Sequence, residues 1–182
     1  MKTIRLKDKY FEPFIPASEI EAAVERMAGR INSDMEGKLP LFLVILNGAF
    51  IFAADLIRRI NVDCHVSFVR LSSYDGIHST QVVRELIGLN EEIANRTVVV
   101  VEDIIDTGHT MDELVRKIKA LNATEVKIAT CLLKPAALRK DLTIDYIGIE
   151  IPNDFIVGYG LDYDGYGRNL RDIYKIVPQI KH

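Results

Sequence analysis

Four consecutive valines, Val98-Val99-Val100-Val101, run directly into Glu102-Asp103 and then into Asp106-Thr107-Gly108-His109-Thr110, and no other feature constrains the chain more. β-Branched residues favour strands, and an apolar run without alternation belongs to a strand covered on both faces. Such strands sit in parallel sheets with helices on either side. Helical spacing follows at Met111, Leu114, Val115, Ile118 and Leu121, and Asn122 closes it. The segment therefore reads as strand, turn and helix. Thr110 and Glu113 have capping-box spacing, which would gather the N–H groups of residues 106–110 at the helix N-terminus. Those donors, with the positive end of the helix dipole, make an anion site. Thr107 and Thr110 add hydroxyls, and Gly108 permits close approach.

Two readings of this turn compete. The bland one is a capped turn with solvated acids. Against it, a carboxylate pair abutting a buried strand is costly unless it is neutralised or hydrogen-bonded. The turn lacks Gly-Lys-Ser/Thr, so it is not a nucleoside-triphosphate loop. Ribose hydroxyls near a Mg²⁺-bound diphosphate would give the acids a purpose.

The rest of the chain repeats the pattern. Ser18 and Glu21 have capping-box spacing, with Ser18 at N-cap, before a helix carrying Ile20, Val24, Met27, Ala28, Ile31 and Met35 on one face. Residues 37–40 end it. Apolar residues 41–46 predict a buried strand, Asn47-Gly48 a turn, and residues 50–60 a helix. Further strands are expected at 63–71, 81–87, 126–133, 144–150 and 155–157, with a polar loop at 72–80. Strands alternating with helices indicate an α/β fold with a central, mostly parallel sheet. Ligands of such sheets bind beyond the carboxyl ends of the strands, which points to residues 46–49, 72–80, 102–110, 134 and the region after 150.

With 182 residues, 48% apolar and 27% charged, the chain suits one globular domain rather than a disordered segment. A net charge of -3 argues against a broad nucleic-acid surface. Cys64 and Cys131 lie in apolar, strand-like runs and read as buried thiols. The charged N-terminus lacks a signal-peptide core, and no stretch is long enough for a membrane span, so a cytoplasmic location is expected.

The acidic-acidic-Ile-Ile-Asp-Thr-Gly-x-Thr pattern at residues 102–110 resembles the ribose-5-phosphate motif of type I phosphoribosyltransferases, in the form of their hypoxanthine/guanine branch. The resemblance extends from about residue 41 to 168 and implies that family's fold, with a small hood (the N-terminal lead and about 151–182) and a mobile lid (about 72–86). It implies that residues 106–110, His109 included through its backbone, hold the 5-phosphate, while Asp106 acts as general base at the purine N7. Glu102 and Asp103 would bind the ribose hydroxyls, directly or through metal. Asn47 and Gly48 match the pyrophosphate loop, where the family commonly has Lys or Arg in place of Asn47 and often a non-proline cis peptide.

Four further segments carry the likeness. Ser73 and Tyr74 match the lid that excludes water from the reacting centre. Lys134, otherwise an ordinary strand-end lysine, would face the purine 6-oxo group. Phe155 would stack on the base, Ile156 would use its main chain on the ring edge, and Asp162 would lie near base and metal. Arg168 would contact pyrophosphate through its guanidinium fork, whereas Arg171 reads as a surface residue. The resemblance thus implies a Mg²⁺-dependent purine-salvage transferase acting on 5-phosphoribosyl 1-pyrophosphate and a 6-oxopurine, hypoxanthine and also guanine, as a homodimer or homotetramer. A nucleotide- and RNA-binding regulator of the same fold is one rival, disfavoured by the acidic composition. A transferase acting on xanthine or a pyrimidine is the other; Lys134, Phe155 and Asp162 speak against the pyrimidine.

Overall fold

The computed structural model describes residues 2–73, 83–87 and 91–177. Among these, the chain forms strands β1 (Ile4–Leu6) and β2 (Lys9–Ile15), helix α1 (Ala17–Asp34), β3 (Leu41–Leu46), α2 (Phe50–Ile57), β4 (His65–Ser73) and β5 (Val83–Ile87). These are followed by β6 (Thr97–Ile105), α3 (His109–Ala120), β7 (Glu125–Leu133), β8 (Tyr146–Glu150), β9 (Ile156–Val157) and β10 (Ile173–Ile176). Two sheets result. The larger has the order β5-β4-β3-β6-β7-β8, with β4, β3, β6, β7 and β8 parallel and β5 antiparallel at the edge. The smaller, β1-β2-β10-β9, is antiparallel and joins the two ends of the chain.

The valine run does what its composition requires. Val98, Val99, Val100 and Val101 are all fully buried, and successive residues enter opposite layers. Val99 and Val101 pack with Phe42, Phe52, Leu56 and the apolar stripe of α1. Val98 and Val100 pack with Leu41, Leu43 and Met111, Leu114 and Ile118 of α3. Chain order places β4 on one side of β3 and β6, β7 and β8 on the other. The gap between the carboxyl ends of β3 and β6 is therefore the switch point at which a doubly wound sheet opens a crevice.

Several local expectations are corrected. The Ser18–Glu21 capping box does not form: α1 begins at Ala17, with Pro16 at N-cap and no side-chain cap bond. Its first N–H is instead taken by Asp172, whose Oδ1 lies 2.7 Å from Ala17 N. Helix α2 stops at Ile57 rather than 60 because Asn32 of α1 captures the following turn, accepting from Asn61 N and donating to Arg59 O, each at 2.9 Å. The Thr110 capping box is also absent, since α3 starts at His109 behind Gly108. Cys64 lies just before β4, while Cys131 is buried in β7. The N-terminal lead and residues 173–176, read without structure, are strands of the small sheet. Ser73 is the last residue of β4; Tyr74 and the rest of the expected lid to residue 82 lie outside the described residues.

Candidate active site

Strand β6 outruns its neighbour. Its pairing with β3 ends at Val44 and Val101, but its pairing with β7 continues to Ile105 and Leu133. Glu102 and Asp103 are thus part of the strand rather than of the turn after it, and they lie where the pairing of β6 with β3 has ended. The 47–49 turn lies across that opening. The Leu46–Asn47 peptide is cis. Gly48 presses so closely that a Cβ there would fall 1.7 Å from Asp103 Oδ2. Asn47 is exposed.

The two acids are satisfied partly by their own backbone. Asp103 N donates to Glu102 Oε1 at 3.1 Å, and Ile104 N donates to Asp103 Oδ1 at 2.9 Å. Removal of solvent around the Glu102 carboxyl pushes its pKa well above the usual carboxylate range, and the Asp103 charge adds to the rise.

Beyond Ile105 the chain turns through Asp106 and Thr107 to Gly108, whose φ of 81° lies in the left-handed region. Glycine is needed twice over here, because a Cβ would sit 2.8 Å from Leu138 Cδ1 and 2.9 Å from Leu142 Cδ1. Asp112 N bonds Gly108 O at 2.9 Å, closing the first turn of α3. Among the described residues none accepts the N–H groups of Thr107, Gly108, His109 or Thr110. Free donors at a helix N-terminus form an anion site without any lysine. A cleft of about 240 Å³ opens here, lined by the acids 102, 103 and 106 and by Thr107, Gly108 and Thr110. His109 is exposed on the first turn of the helix.

Lys134 follows the end of β7. Its backbone N bonds Ile105 O at 3.0 Å, and its buried ammonium lies 3.1 Å from Asp106 Oδ2. The small sheet supplies the remaining groups. Phe155 stays 46% exposed, with its ring 6.4 Å from Phe11 and edge-on to Tyr163 at 5.9 Å. Ile156 is buried in β9. Asp162 Oδ1 lies 2.7 Å from Arg168 Nη2, and Asp162 Oδ2 accepts from Gly165 N at 2.6 Å. The other arm of the Arg168 fork donates to Gly160 O at 2.7 Å. Asp162 does not join Glu102 and Asp103 in one cluster; among the described residues no three acidic, histidine or cysteine side chains converge as metal ligands. Ile104, Ile105 and Met111 also wall the cleft; apolar side chains in a strand and a helix carry no chemical signal in the sequence that would mark them as site residues.

Fold and site together define an α/β protein that presents a turn of free backbone donors and a carboxylate pair at the switch point of its sheet. Residues 16–164 match the family described as the phosphoribosyl transferase domain, and the chain belongs to that family. It is 36% identical over 173 residues to the hypoxanthine-guanine phosphoribosyltransferase of Mycobacterium bovis, covering 91% of this chain and 86% of that one. It is 38% identical to the bifunctional protein TilS/HprT of Listeria monocytogenes, of which it spans 26%. A solved hypoxanthine-guanine phosphoribosyltransferase from Bacillus anthracis superposes with a TM-score of 0.82 at 35% identity, covering 92% of this chain and 97% of that one.

Proposed function

We propose that the chain transfers ribose 5-phosphate from 5-phosphoribosyl 1-pyrophosphate to hypoxanthine, and to guanine, giving IMP or GMP and pyrophosphate. The observation that carries this reading is the Asp106–Lys134 pair at the rim of the free-donor turn. It sets a proton acceptor and a hydrogen-bond donor side by side next to a phosphate site. The names of the relatives in M. bovis and B. anthracis support the same activity.

In this reading the N–H groups and hydroxyls of residues 107–110 hold the 5-phosphate, with His109 contributing backbone only. The purine N9 forms a bond to C1 of the ribose while the C1–oxygen bond to pyrophosphate breaks. The proton released from N7 passes to Asp106. Lys134 donates to the 6-oxo group, which a 6-amino group cannot match. Phe155 stacks on the base, and the Ile156 main chain meets the ring edge. Gly48 offers its N–H to pyrophosphate, and Asn47 provides an amide where a cation is usual. Arg168 exchanges part of its Asp162 pairing for diphosphate oxygens, and Ser73 and Tyr74 shield the centre from water.

Glu102 and Asp103 suit Mg²⁺, a hard cation that one or two carboxylates hold, and would be the residues to bind it. Burial and the neighbouring Asp103 charge raise the Glu102 pKa, and a bound cation would oppose that rise. Asp162, paired with Arg168, stands apart from those two acids. When bound, Mg²⁺ would neutralise the leaving diphosphate. The biological role is purine salvage in the cytoplasm by a homodimer or homotetramer, and Phe50 and Phe68, exposed on α2 and β4, offer a face that such an assembly would cover.

Incubation of the protein with 5-phosphoribosyl 1-pyrophosphate, Mg²⁺ and each of hypoxanthine, guanine, xanthine, adenine and uracil tests the reading. Equal amounts of nucleotide and pyrophosphate are expected with hypoxanthine and guanine. No nucleotide from either base would overturn it.

A further inference from the structure

Three successive residues of the hood adopt positive φ: 105° at Gly158, 50° at Tyr159 and 100° at Gly160. A tyrosine in that region is unusual and persists only where its surroundings hold it. Here they do. Tyr159 N bonds Leu170 O at 2.8 Å, the ring is buried, and the hydroxyl donates to Asp55 Oδ2 of α2 at 2.8 Å. Burial, and then that carboxylate, push the phenol pKa up, so the proton stays on the tyrosine. Each flanking glycine is pressed against backbone: a Cβ at Gly158 would lie 2.2 Å from Asp172 O, and one at Gly160 would lie 2.1 Å from Gly48 O.

These contacts form a short path between two segments that no strand pairing among the described residues joins. Asp55 belongs to the helix that begins directly after the 47–49 turn. Tyr159 precedes Gly160, which donates to Arg168 O at 3.0 Å and accepts from Arg168 Nη1 at 2.7 Å. Arg168 in turn holds Asp162. The turn is carried by the large sheet and the arginine by a loop that closes back on the small one. Their relative placement therefore depends on side-chain and backbone contacts such as the Asp55–Tyr159 bond, which spans 104 residues of sequence.

Resting on the phosphoribosyl reading above, we infer that Asp55 and Tyr159 are positioning residues that hold the two halves of the pyrophosphate subsite, the Asn47–Gly48 turn and Arg168, in register with each other. Neither touches substrate. The hydrogen bond fixes where the diphosphate end of the donor sits and leaves the base end, built on Lys134, Phe155 and Ile156, unaffected.

Steady-state kinetics of three variants test this. Tyr159→Phe keeps the ring and removes the hydroxyl, Asp55→Ala removes the acceptor, and Asp55→Asn retains an acceptor oxygen. The first two should raise KM for 5-phosphoribosyl 1-pyrophosphate about fivefold to tenfold, the scale of one lost hydrogen bond. KM for hypoxanthine and kcat at saturation should stay within about twofold, since binding of the diphosphate alone is altered. Asp55→Asn should lie near wild type, and the Tyr159→Phe/Asp55→Ala double variant should be no worse than either single one. An unchanged donor KM in folded Tyr159→Phe would overturn the inference. So would a parallel rise of both KM values with a loss of thermal stability, which marks a purely structural contact. Should Tyr159→Phe fail to fold, the comparison of Asp55→Ala with Asp55→Asn decides: a higher donor KM in the alanine variant supports the inference, and equal values overturn it. A wild-type protein that forms no nucleotide would refute the underlying reading instead.

Discussion

The ammonium of Lys134 lies 3.1 Å from the Asp106 carboxylate, joining the ends of two adjacent parallel strands through groups 28 residues apart. Lys134 is only 8% exposed, and its ammonium donates to the Asp106 carboxylate. Lys134→Met should lower kcat/KM for hypoxanthine about 10- to 100-fold, as expected for loss of a charged hydrogen-bond donor. Turnover with adenine should not fall in proportion. An unaltered hypoxanthine-to-adenine ratio, measured with saturating donor, would remove Lys134 from base selection.

Gly48 and Asp103 share one space. A methyl at Gly48 would land 1.7 Å from Asp103 Oδ2, so Gly48→Ala must displace either the acid or the turn. A loss of about 1–3 kcal/mol in unfolding free energy is expected, the range for overpacking a filled site. Urea unfolding followed by circular dichroism measures it. Wild-type stability would mean that the turn relaxes freely.

Asp172 caps α1 from the far end of the chain, through the 2.7 Å bond to Ala17 N. Asp172→Ala should cost about 1 kcal/mol, the usual value of an N-terminal cap. The same unfolding assay reads it, and a change near zero would show that solvent replaces the cap.

The 106–110 turn was more legible than its support. The valine run announced a strand covered on both faces because its apolar residues do not alternate, and Asn122 announced a helix end that the structure closes with φ of 61°. The 106–110 turn was legible because its glycine, hydroxyls and acid are local. Asp172, by contrast, lies 155 residues from the amide it caps, and Tyr159 lies 104 from Asp55. No local pattern encodes such partners, and the capping boxes read at Ser18 and Thr110 were displaced by them and by Gly108. Strand β2 escaped notice because Pro13 and its mixed polarity mask its pairing with β1 and β10. Strand β6 runs past the valines although Glu102 and Asp103 are poor strand formers, because β7 pairs Glu102, Ile104 and Ile105.

Glu102 has a pKa raised by burial and by Asp103. As pH climbs from the ordinary carboxylate range toward that raised value, the unfolded chain ionises Glu102 while the folded chain keeps its proton. Folded stability therefore falls through this window. Glu102→Gln should match wild type near about pH 4 and exceed it near about pH 8, where the wild-type carboxyl must ionise in place or hold its proton at a cost. Urea midpoints at the two pH values test this, and parallel curves would contradict it.

Asp106 carries the central claim, that a carboxylate at the rim of the phosphate turn removes the purine proton. Single-turnover and steady-state rates of Asp106→Asn, with saturating hypoxanthine, donor and Mg²⁺, test it most directly when donor binding is measured in parallel by calorimetry. Turnover should fall about 10²- to 10⁴-fold, the usual contribution of a general base, while donor affinity changes little. Wild-type turnover in this variant would contradict it.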